Sequence, residues 1–324
     1  MRRVYVARRL LPGPAAELHA AFTVTLHDSD WPPARAELLA GVAGMEGVVL
    51  LPTDRADDEL LDAAGSELRI VANHAVGYDN VDVAACTRRG VIVSNTPGVL
   101  TRATAEFTIS LMLDLTRRLT EGDRLVRSRA PWILAPTFML GPGLADRRLG
   151  IVGLGRIGLE VARLAEAFGM TVAYAGRHDV EGIGYARLGL QELLARSDIV
   201  SLHCPLSPET RHMINAETLG LMPAHAVLVN TARGAVVDEE ALVAALRAGA
   251  IAGAALDVYE REPEVHPGLL DLPNVVLAPH LGSATPAARE AMGRLCVEAL
   301  RAALLERRIP KNALNPEAVT VHAL

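Results

Sequence analysis

The sequence predicts an α/β protein of two domains, each a parallel sheet with helices on both faces. Three observations predict it. Apolar runs of strand length alternate with helical segments and short loops along most of the chain, the pattern of parallel sheets. A glycine-rich turn in mid-chain lies between a strand and a helix. The chain has 324 residues, 50% of them hydrophobic, which is enough for two cores.

The first domain opens with a strand over 4–7, a helix over 15–21 and a strand over 23–26. Pro32-Pro33 starts a helix over 34–40, and 47–51 is a third strand. A helix over 57–64 leads to a strand over 68–72 and then to the polar turn Asn73-His74-Ala75-Val76-Gly77-Tyr78-Asp79-Asn80-Val81-Asp82. Helix 83–89 and strand 91–94 complete this unit, which has no glycine fingerprint of its own. Asn95-Thr96-Pro97-Gly98 is a turn cluster and marks a boundary.

A long helix over 103–118 enters the second domain. The segment 129–136, with Trp132 in it, is apolar and proline-bounded, and suits packing on another subunit. The stretch Leu149-Gly150-Ile151-Val152-Gly153-Leu154-Gly155-Arg156-Ile157-Gly158 then reads as a buried strand running into G-x-G-x-x-G. Ile157, Val161, Leu164, Ala165 and Phe168 share one helical face after it, and Gly169 stands at the helix end. A second strand follows over 171–175, so the turn sits inside a βαβ unit. Gly153 permits the tight turn, Gly155 lets the backbone approach a pyrophosphate, and Gly158 lets helix and strand pack closely. This is the pattern of a Rossmann dinucleotide-binding domain. A final helix over 286–306 is expected to return to the first domain. The expected division is 1–98 with 286–324, and 99–285 with a dimerisation arm at 120–148.

Composition narrows the function classes. A net charge of −6 offers no basic field for nucleic acid, and 3% aromatic residues offer few stacking platforms. Cys86, Cys204 and Cys296 are spaced for neither a disulfide framework nor a zinc site, which suits a reducing compartment. The first residues run directly into a strand without a signal-peptide core, and no apolar run has bilayer length. The expectation is a soluble cytoplasmic protein with no nucleic-acid, membrane or metal partner. H-E-x-x-H and G-x-S-x-G are both absent.

Ligands of an open parallel sheet bind beyond the carboxyl ends of its strands. Segment 199–202 ends at His203-Cys204-Pro205, 226–230 at Thr231-Ala232-Arg233-Gly234, 252–256 at Asp257, and 275–278 at Pro279-His280. Arg233, Asp257 and His280 are therefore expected to converge on the nucleotide crevice. Imidazole ordinarily titrates near ~6.5, so His280 suits proton transfer at neutral pH. Glu262 is either a solvated loop carboxylate or the orienter of His280 that stabilises its charged form. Arg233 offers a planar fork for a substrate carboxylate. Together the three suit hydride transfer to a 2-keto acid. His19, His27, His212, His225 and His322 are read as structural or exposed.

An NAD-specific site places an acid about 20 residues after the first glycine. Counting from Gly153 reaches Tyr174-Ala175, and the chain continues Gly176-Arg177-His178 with no acid before Asp179. Gly176 leaves space, Arg177 suits a 2′-phosphate, and His178 adds a donor. NADP(H) is the expected cofactor, with NAD(H) second.

Six motifs then stand in order: Val76-Gly77-Tyr78-Asp79-Asn80-Val81-Asp82, Asn95-Thr96-Pro97-Gly98, Gly153-Leu154-Gly155-Arg156-Ile157-Gly158, Asn230-Thr231-Ala232-Arg233-Gly234, Leu256-Asp257-Val258 and Pro279-His280-Leu281-Gly282-Ser283-Ala284-Thr285. On these the chain resembles the D-isomer-specific 2-hydroxyacid dehydrogenases from about residue 45 to 310, and within them the glyoxylate/hydroxypyruvate reductases. The resemblance implies a flavodoxin-like substrate domain beside the Rossmann domain, and a homodimer built on the latter. It implies Arg233, Glu262 and His280 as the catalytic set. The backbone of Val76 and Gly77 would bind the substrate carboxylate with Arg233 and His280. Thr104, Gly153, Leu154, Gly155, Arg156, Ile157, Gly158, Arg177, His178, Cys204, Pro205, Thr210, Thr231, Ala232, Asp257 and Gly282 would line the cofactor. Two positions depart from the pattern. Ala135 stands where such reductases often carry a second tryptophan, and Arg102 where an acid is usual. The expected activity is NADPH-dependent reduction of glyoxylate or hydroxypyruvate. A dehydrogenase for another 2-hydroxy acid or for phosphite, or a non-catalytic NAD(H)-sensing protein, is the alternative.

Overall fold

The computed structural model describes residues 1–318. His322 lies outside them. The chain divides into two compact units, Met1–Leu100 with Ala284–Leu324, and Thr101–Ser283.

The first unit begins β1 (Arg3–Val6), α1 (Pro12–Ala21), β2 (Thr23–Leu26), α2 (Arg35–Val42) and β3 (Gly47–Leu50). It continues α3 (Asp58–Ala64), β4 (Ile70–Asn73), α4 (Val83–Arg88) and β5 (Ile92–Ser94). The strands form a five-stranded parallel sheet of order β2-β1-β3-β4-β5, the flavodoxin-like arrangement. β3 and β4 are buried along their whole length, which is why their sequences are continuous apolar runs rather than alternations. One sheet face packs on Leu38, Val42, Leu60 and Leu61. The other packs on Leu18, Val297 and Leu300. Asp57 and Asp82 cap α3 and α4 by accepting from the Leu60 and Ala85 amides.

The second unit runs α5 (Thr101–Arg117), α6 (Leu119–Arg127), β6 (Arg148–Val152), α7 (Arg156–Ala167), β7 (Thr171–Ala175) and β8 (Ala186–Arg187). Then come α8 (Leu190–Arg196), β9 (Ile199–Leu202), α9 (Ala216–Leu219), β10 (Val227–Asn230), α10 (Glu239–Arg247), β11 (Gly253–Leu256), α11 (Pro267–Leu270) and β12 (Val275–Leu277). Its seven parallel strands have the order β12-β11-β10-β9-β6-β7-β8. The chain starts at β6 and winds outward both ways, so the β6/β9 junction is a topological switch point. Both faces are covered, by Leu193, Leu242 and Leu246 on one side and by Met112, Val161 and Ala165 on the other. α12 (Pro286–Leu304) belongs to the first unit, where it packs on α1 and β4.

Two local differences from the sequence reading have physical causes. The helix expected over 103–118 ends at Arg117, because Arg118 takes a left-handed conformation (φ 55°). The Asp114 carboxylate then receives the Thr120 amide at 2.7 Å and starts α6, a helix with no buried residue. Arg102 pairs with Glu106 and Glu160 at 2.6 and 2.7 Å, joining the exposed sides of α5 and α7.

Candidate active site

The glycine-rich turn joins β6 to α7 at the switch point. Gly153 has φ 93°, and its amide donates to the Ala175 carbonyl at 2.8 Å. A Cβ there would stand 2.6 Å from the backbone nitrogen of Cys204, so only glycine lets the turn touch the end of β9. A Cβ on Gly158 would stand 2.5 Å from the Gly153 carbonyl oxygen. Gly155 differs: a Cβ there would meet no protein atom within 4 Å. It is the N-cap of α7 and has no side chain to satisfy the first amides of that helix. The helix end therefore presents free donors and positive dipole to a cradle that a side chain would fill, and a dinucleotide pyrophosphate fits it. Leu154 and Ile157 pack on the core beneath, while Arg156 is exposed.

Around this turn stand the other expected cofactor residues. Gly176, Arg177, His178 and Asp179 follow β7 as an exposed turn. The Thr210 hydroxyl donates to the Pro205 carbonyl at 2.7 Å and accepts from the Ser207 amide at 2.8 Å, closing the loop after Cys204. Burial pushes the Cys204 thiol up to about 11, so it is no nucleophile. Thr231 shares a hydroxyl–hydroxyl bond of 2.9 Å with Thr108, which donates to the Thr104 carbonyl at 2.8 Å. The Ala232 amide donates to Asn230 Oδ1 at 3.0 Å, and Asn230 Nδ2 donates to the Arg233 carbonyl at 2.9 Å. Asn230 is fully buried and shapes the turn that carries Arg233; the sequence motif contains it but assigns it no role, although a polar residue ending an apolar strand is the signal.

Past β12 the backbone of His280 is left-handed, φ 56°, a costly conformation for a residue with a Cβ. Asp257 holds it. Its carbonyl accepts from the His280 amide at 2.8 Å, and its carboxylate accepts from Leu281 at 2.6 Å and Gly282 at 2.8 Å. Burial pushes this carboxyl above its usual range, against those two amides. His280 Nδ1 then meets Glu262 Oε2 at 2.7 Å. The second Glu262 oxygen accepts from the Tyr259 amide at 3.0 Å, so the carboxylate is held at both ends. The solvated-loop reading of Glu262 is thereby set aside. The bond makes Nδ1 the donor and turns Nε2 outward. Glu239, buried at the start of α10, accepts from the Glu260 amide at 2.8 Å and steadies the same loop. His212 pairs with Glu260 at 2.7 Å and His225 with Asp198 at 2.8 Å.

In the first unit, the turn after β4 is built by its carbonyls. Ala75 O accepts from the Thr96 amide at 2.9 Å, Val76 O from Asn95 Nδ2 at 2.8 Å, and Gly77 O from Asn73 Nδ2 at 2.8 Å. In a trans peptide the N–H points opposite to the C=O. The amides of Val76, Gly77 and Tyr78 are thus turned the other way, and they donate to nothing among the described residues. Three adjacent amides of this kind suit a carboxylate. Among the described residues no cluster of His, Cys, Asp or Glu could hold a metal ion, and no helix is long and apolar enough to cross a membrane.

Known proteins resemble this chain over nearly its whole length. Residues 109–282 match the family pattern of the D-isomer specific 2-hydroxyacid dehydrogenase NAD binding domain. A glyoxylate reductase of Thermofilum pendens is 44% identical over 99% of this chain and 97% of its own length. A crystal structure of a Thermus thermophilus protein superposes with a TM-score of 0.91 at 44% identity, covering 96% of this chain and 99% of the other. An NADPH-dependent glyoxylate/hydroxypyruvate reductase of Sinorhizobium meliloti, solved with NADP and malonate, gives 0.88 at 36% identity and 98% coverage of both chains. The chain belongs to the D-isomer-specific 2-hydroxyacid dehydrogenase family, and it is an NAD(P)-dependent oxidoreductase.

Proposed function

We propose that the protein reduces small 2-keto acids, glyoxylate and hydroxypyruvate first among them, with NADPH as the preferred reductant. The observation that carries the chemistry is the Glu262–His280 pair at 2.7 Å, held on a turn that Asp257 fixes. The cofactor, when bound, supplies the hydride. Charged His280 gives the proton on Nε2 to the carbonyl oxygen, and Glu262 stabilises the imidazolium beforehand. Arg233 binds the substrate carboxylate and polarises the keto group beside it. The backbone amides of Val76 and Gly77 are counted among the substrate contacts. Relatives support the substrate class: the Thermofilum pendens protein is a glyoxylate reductase, and the Sinorhizobium meliloti protein is an NADPH-dependent glyoxylate/hydroxypyruvate reductase.

The preference for NADPH rests on the turn after β7. It has an exposed arginine, and no acid stands at the end of β7, before Asp179, where one would bind both ribose hydroxyls and repel a 2′-phosphate. A homodimer is proposed as well, because Ile133 and Leu134 stand 64% and 96% exposed beside Trp132. Turnover of glyoxylate, hydroxypyruvate, pyruvate and phosphite with NADPH and NADH tests the reading. The expected result is the highest kcat/KM for glyoxylate or hydroxypyruvate with NADPH. Cofactor binding without turnover of any of the four overturns it in favour of a sensing protein.

A further inference from the structure

The turn that would select the nucleotide is not self-supporting. Gly176, Arg177, His178 and Asp179 are all exposed, and none belongs to a strand or helix. One side chain from the next strand holds them. Arg187, on the two-residue β8, donates from Nε to the Gly176 carbonyl at 3.0 Å and from Nη2 to the Arg177 carbonyl at 3.0 Å. Its Nη1 meets Asp179 Oδ1 at 3.3 Å. The far end of the turn is pinned separately, by the Val180 amide donating to the Tyr174 hydroxyl at 3.0 Å. All three nitrogens of the Arg187 guanidinium are thus engaged within the turn, so it is not itself a ligand of the nucleotide.

We propose that Arg187 is a positioning residue for recognition of the 2′-phosphate, a proposal that rests on the NADPH reading above. Two consequences of its geometry carry it. Arg187 draws the carbonyls of Gly176 and Arg177 to itself, so the amides of Arg177 and His178 point the opposite way. Among the described residues those amides donate to nothing, and they stand beside the Arg177 side chain as a small anion cradle. Arg187 also pairs Asp179, the carboxylate closest in sequence to Arg177, which would otherwise repel a phosphate dianion. Another acid near Arg177 is Glu209, whose carboxyl is held below its usual range by the Ser207 hydroxyl and its own backbone, with the Arg177 charge adding to them. Arg187 does not touch it. The role is geometric as much as electrostatic, since two carbonyls at fixed separation need a planar fork, which lysine lacks.

The test compares KM and kcat for NADPH and NADH in wild type, Arg177→Ala, Arg187→Ala, Arg187→Lys and the double variant Arg177→Ala/Arg187→Ala, with melting temperatures as a folding control. Adenosine 2′-monophosphate and adenosine 5′-monophosphate serve as binding probes by calorimetry. Arg187→Ala is expected to raise KM for NADPH about tenfold, keep kcat, and weaken the 2′-monophosphate alone. NADH kinetics should move less than about twofold. Arg187→Lys should fall between, keeping the charge opposite Asp179 but losing the two-carbonyl grip. The double variant should lose more than Arg177→Ala but less than the product of the two single losses, because the clamp acts partly through the Arg177 side chain and partly through the turn amides and Asp179. Equal loss with both cofactors, or no loss with either, overturns the positioning role while leaving the Arg177 result, and hence the NADPH reading, standing. A wild type that prefers NADH with an unaffected Arg177→Ala variant overturns the NADPH reading first and the clamp with it.

Discussion

Replacing Gly234 by alanine should disable the enzyme without touching any group that meets substrate. Gly234 follows Arg233, and its α-carbon lies against the loop that carries Glu262. A Cβ there would stand 1.8 Å from the Tyr259 carbonyl carbon, 2.0 Å from its oxygen and 2.3 Å from the Glu260 nitrogen. All three are backbone atoms, so no rotamer change relieves the contact. Ordinary contact begins near 3.4 Å, so the two segments must separate by roughly 1.6 Å. The Tyr259 amide, which holds one Glu262 oxygen, moves with them. A misplacement of about 1 Å at a reacting group costs about 10²-fold, so kcat for keto-acid reduction should fall by at least that. Overpacking of this kind costs about 1–3 kcal/mol of stability, a fall in Tm of several degrees. Cofactor affinity should change less than kcat, because the glycine-rich turn lies on other strands even though Thr231 and Ala232 precede the clash. The measurements are steady-state kinetics, NADPH binding by fluorescence and calorimetric Tm. A variant within about threefold of wild-type kcat would refute the claim that the Arg233 and Glu262 loops must touch.

Four further outcomes follow from the same geometry. Gly155→Ala, whose Cβ meets no protein atom, should leave Tm unchanged yet weaken NADPH and NADH alike by about tenfold or more in a fluorescence titration; unchanged affinity would remove the pyrophosphate from that cradle. His280→Ala should lower kcat by about 10²–10⁴-fold with NADPH affinity preserved, and near-normal kcat would dismiss it as the acid. Glu262→Gln keeps a hydrogen-bond acceptor near Nδ1 but removes the charge facing the ring, so kcat for reduction should fall with NADPH affinity preserved; an unchanged kcat would separate the two residues. His74 is buried, and burial first, then the Arg289 charge, push it down to about 4 from 6.5, so the unfolded chain binds more protons between those values. Its share of stability is complete above pH 6.5 and drains as pH falls toward 4. At pH 5 the loss is about 2 kcal/mol, which urea unfolding of wild type and His74→Gln at pH 7 and 5 should resolve.

What was legible in the residues was whatever repeats locally. The unit from Leu149 to Ala175 could be read because strand, turn, helix and strand follow in sequence with glycines at the required spacing, and the structure places β6, α7 and β7 there. The strands ending at Asn230, Leu256 and Leu277 could be read as buried apolar runs, and so could the residues just past them. The meeting of Glu262 and His280 could not. It depends on a left-handed histidine and on the Asp257 carboxylate receiving two amides, and neither has a local sequence signal. The clamps were equally hidden. Asn73 acts on a carbonyl of its own turn and Asn95 and Arg187 on carbonyls of other loops, and no local spacing announces which carbonyl each would reach. α6 escaped because its nine residues bury no side chain, so its apolar positions belong to no core against which they could be read.

These clamps share a physical logic that separates binding turns from the proton-carrying turn. At Val76–Gly77 and at Arg177–His178, side chains tie back the carbonyls, and the opposite faces of the same peptides are left as rows of N–H donors. An anion is what such rows favour, and the proposed occupants are a carboxylate at the first and a phosphate at the second. At His280 the arrangement is reversed. The amides of Leu281 and Gly282 are spent on the Asp257 carboxylate, which is buried and accepts both. Free amides there would compete with the imidazole for the developing negative charge on a substrate oxygen. With them occupied, the ring nitrogen facing away from Glu262 is the donor this turn offers, and it is one that can give up its proton where an amide cannot. Asp257→Asn should therefore damage kcat in a particular way. An amide side chain accepts through one atom only, so one of the two backbone donors is released and the left-handed turn loses half its anchor. A fall in kcat with a Tm change of only a few degrees is the expected result, and it distinguishes this role from a direct contact with the nicotinamide, where the KM for the dinucleotide would rise instead.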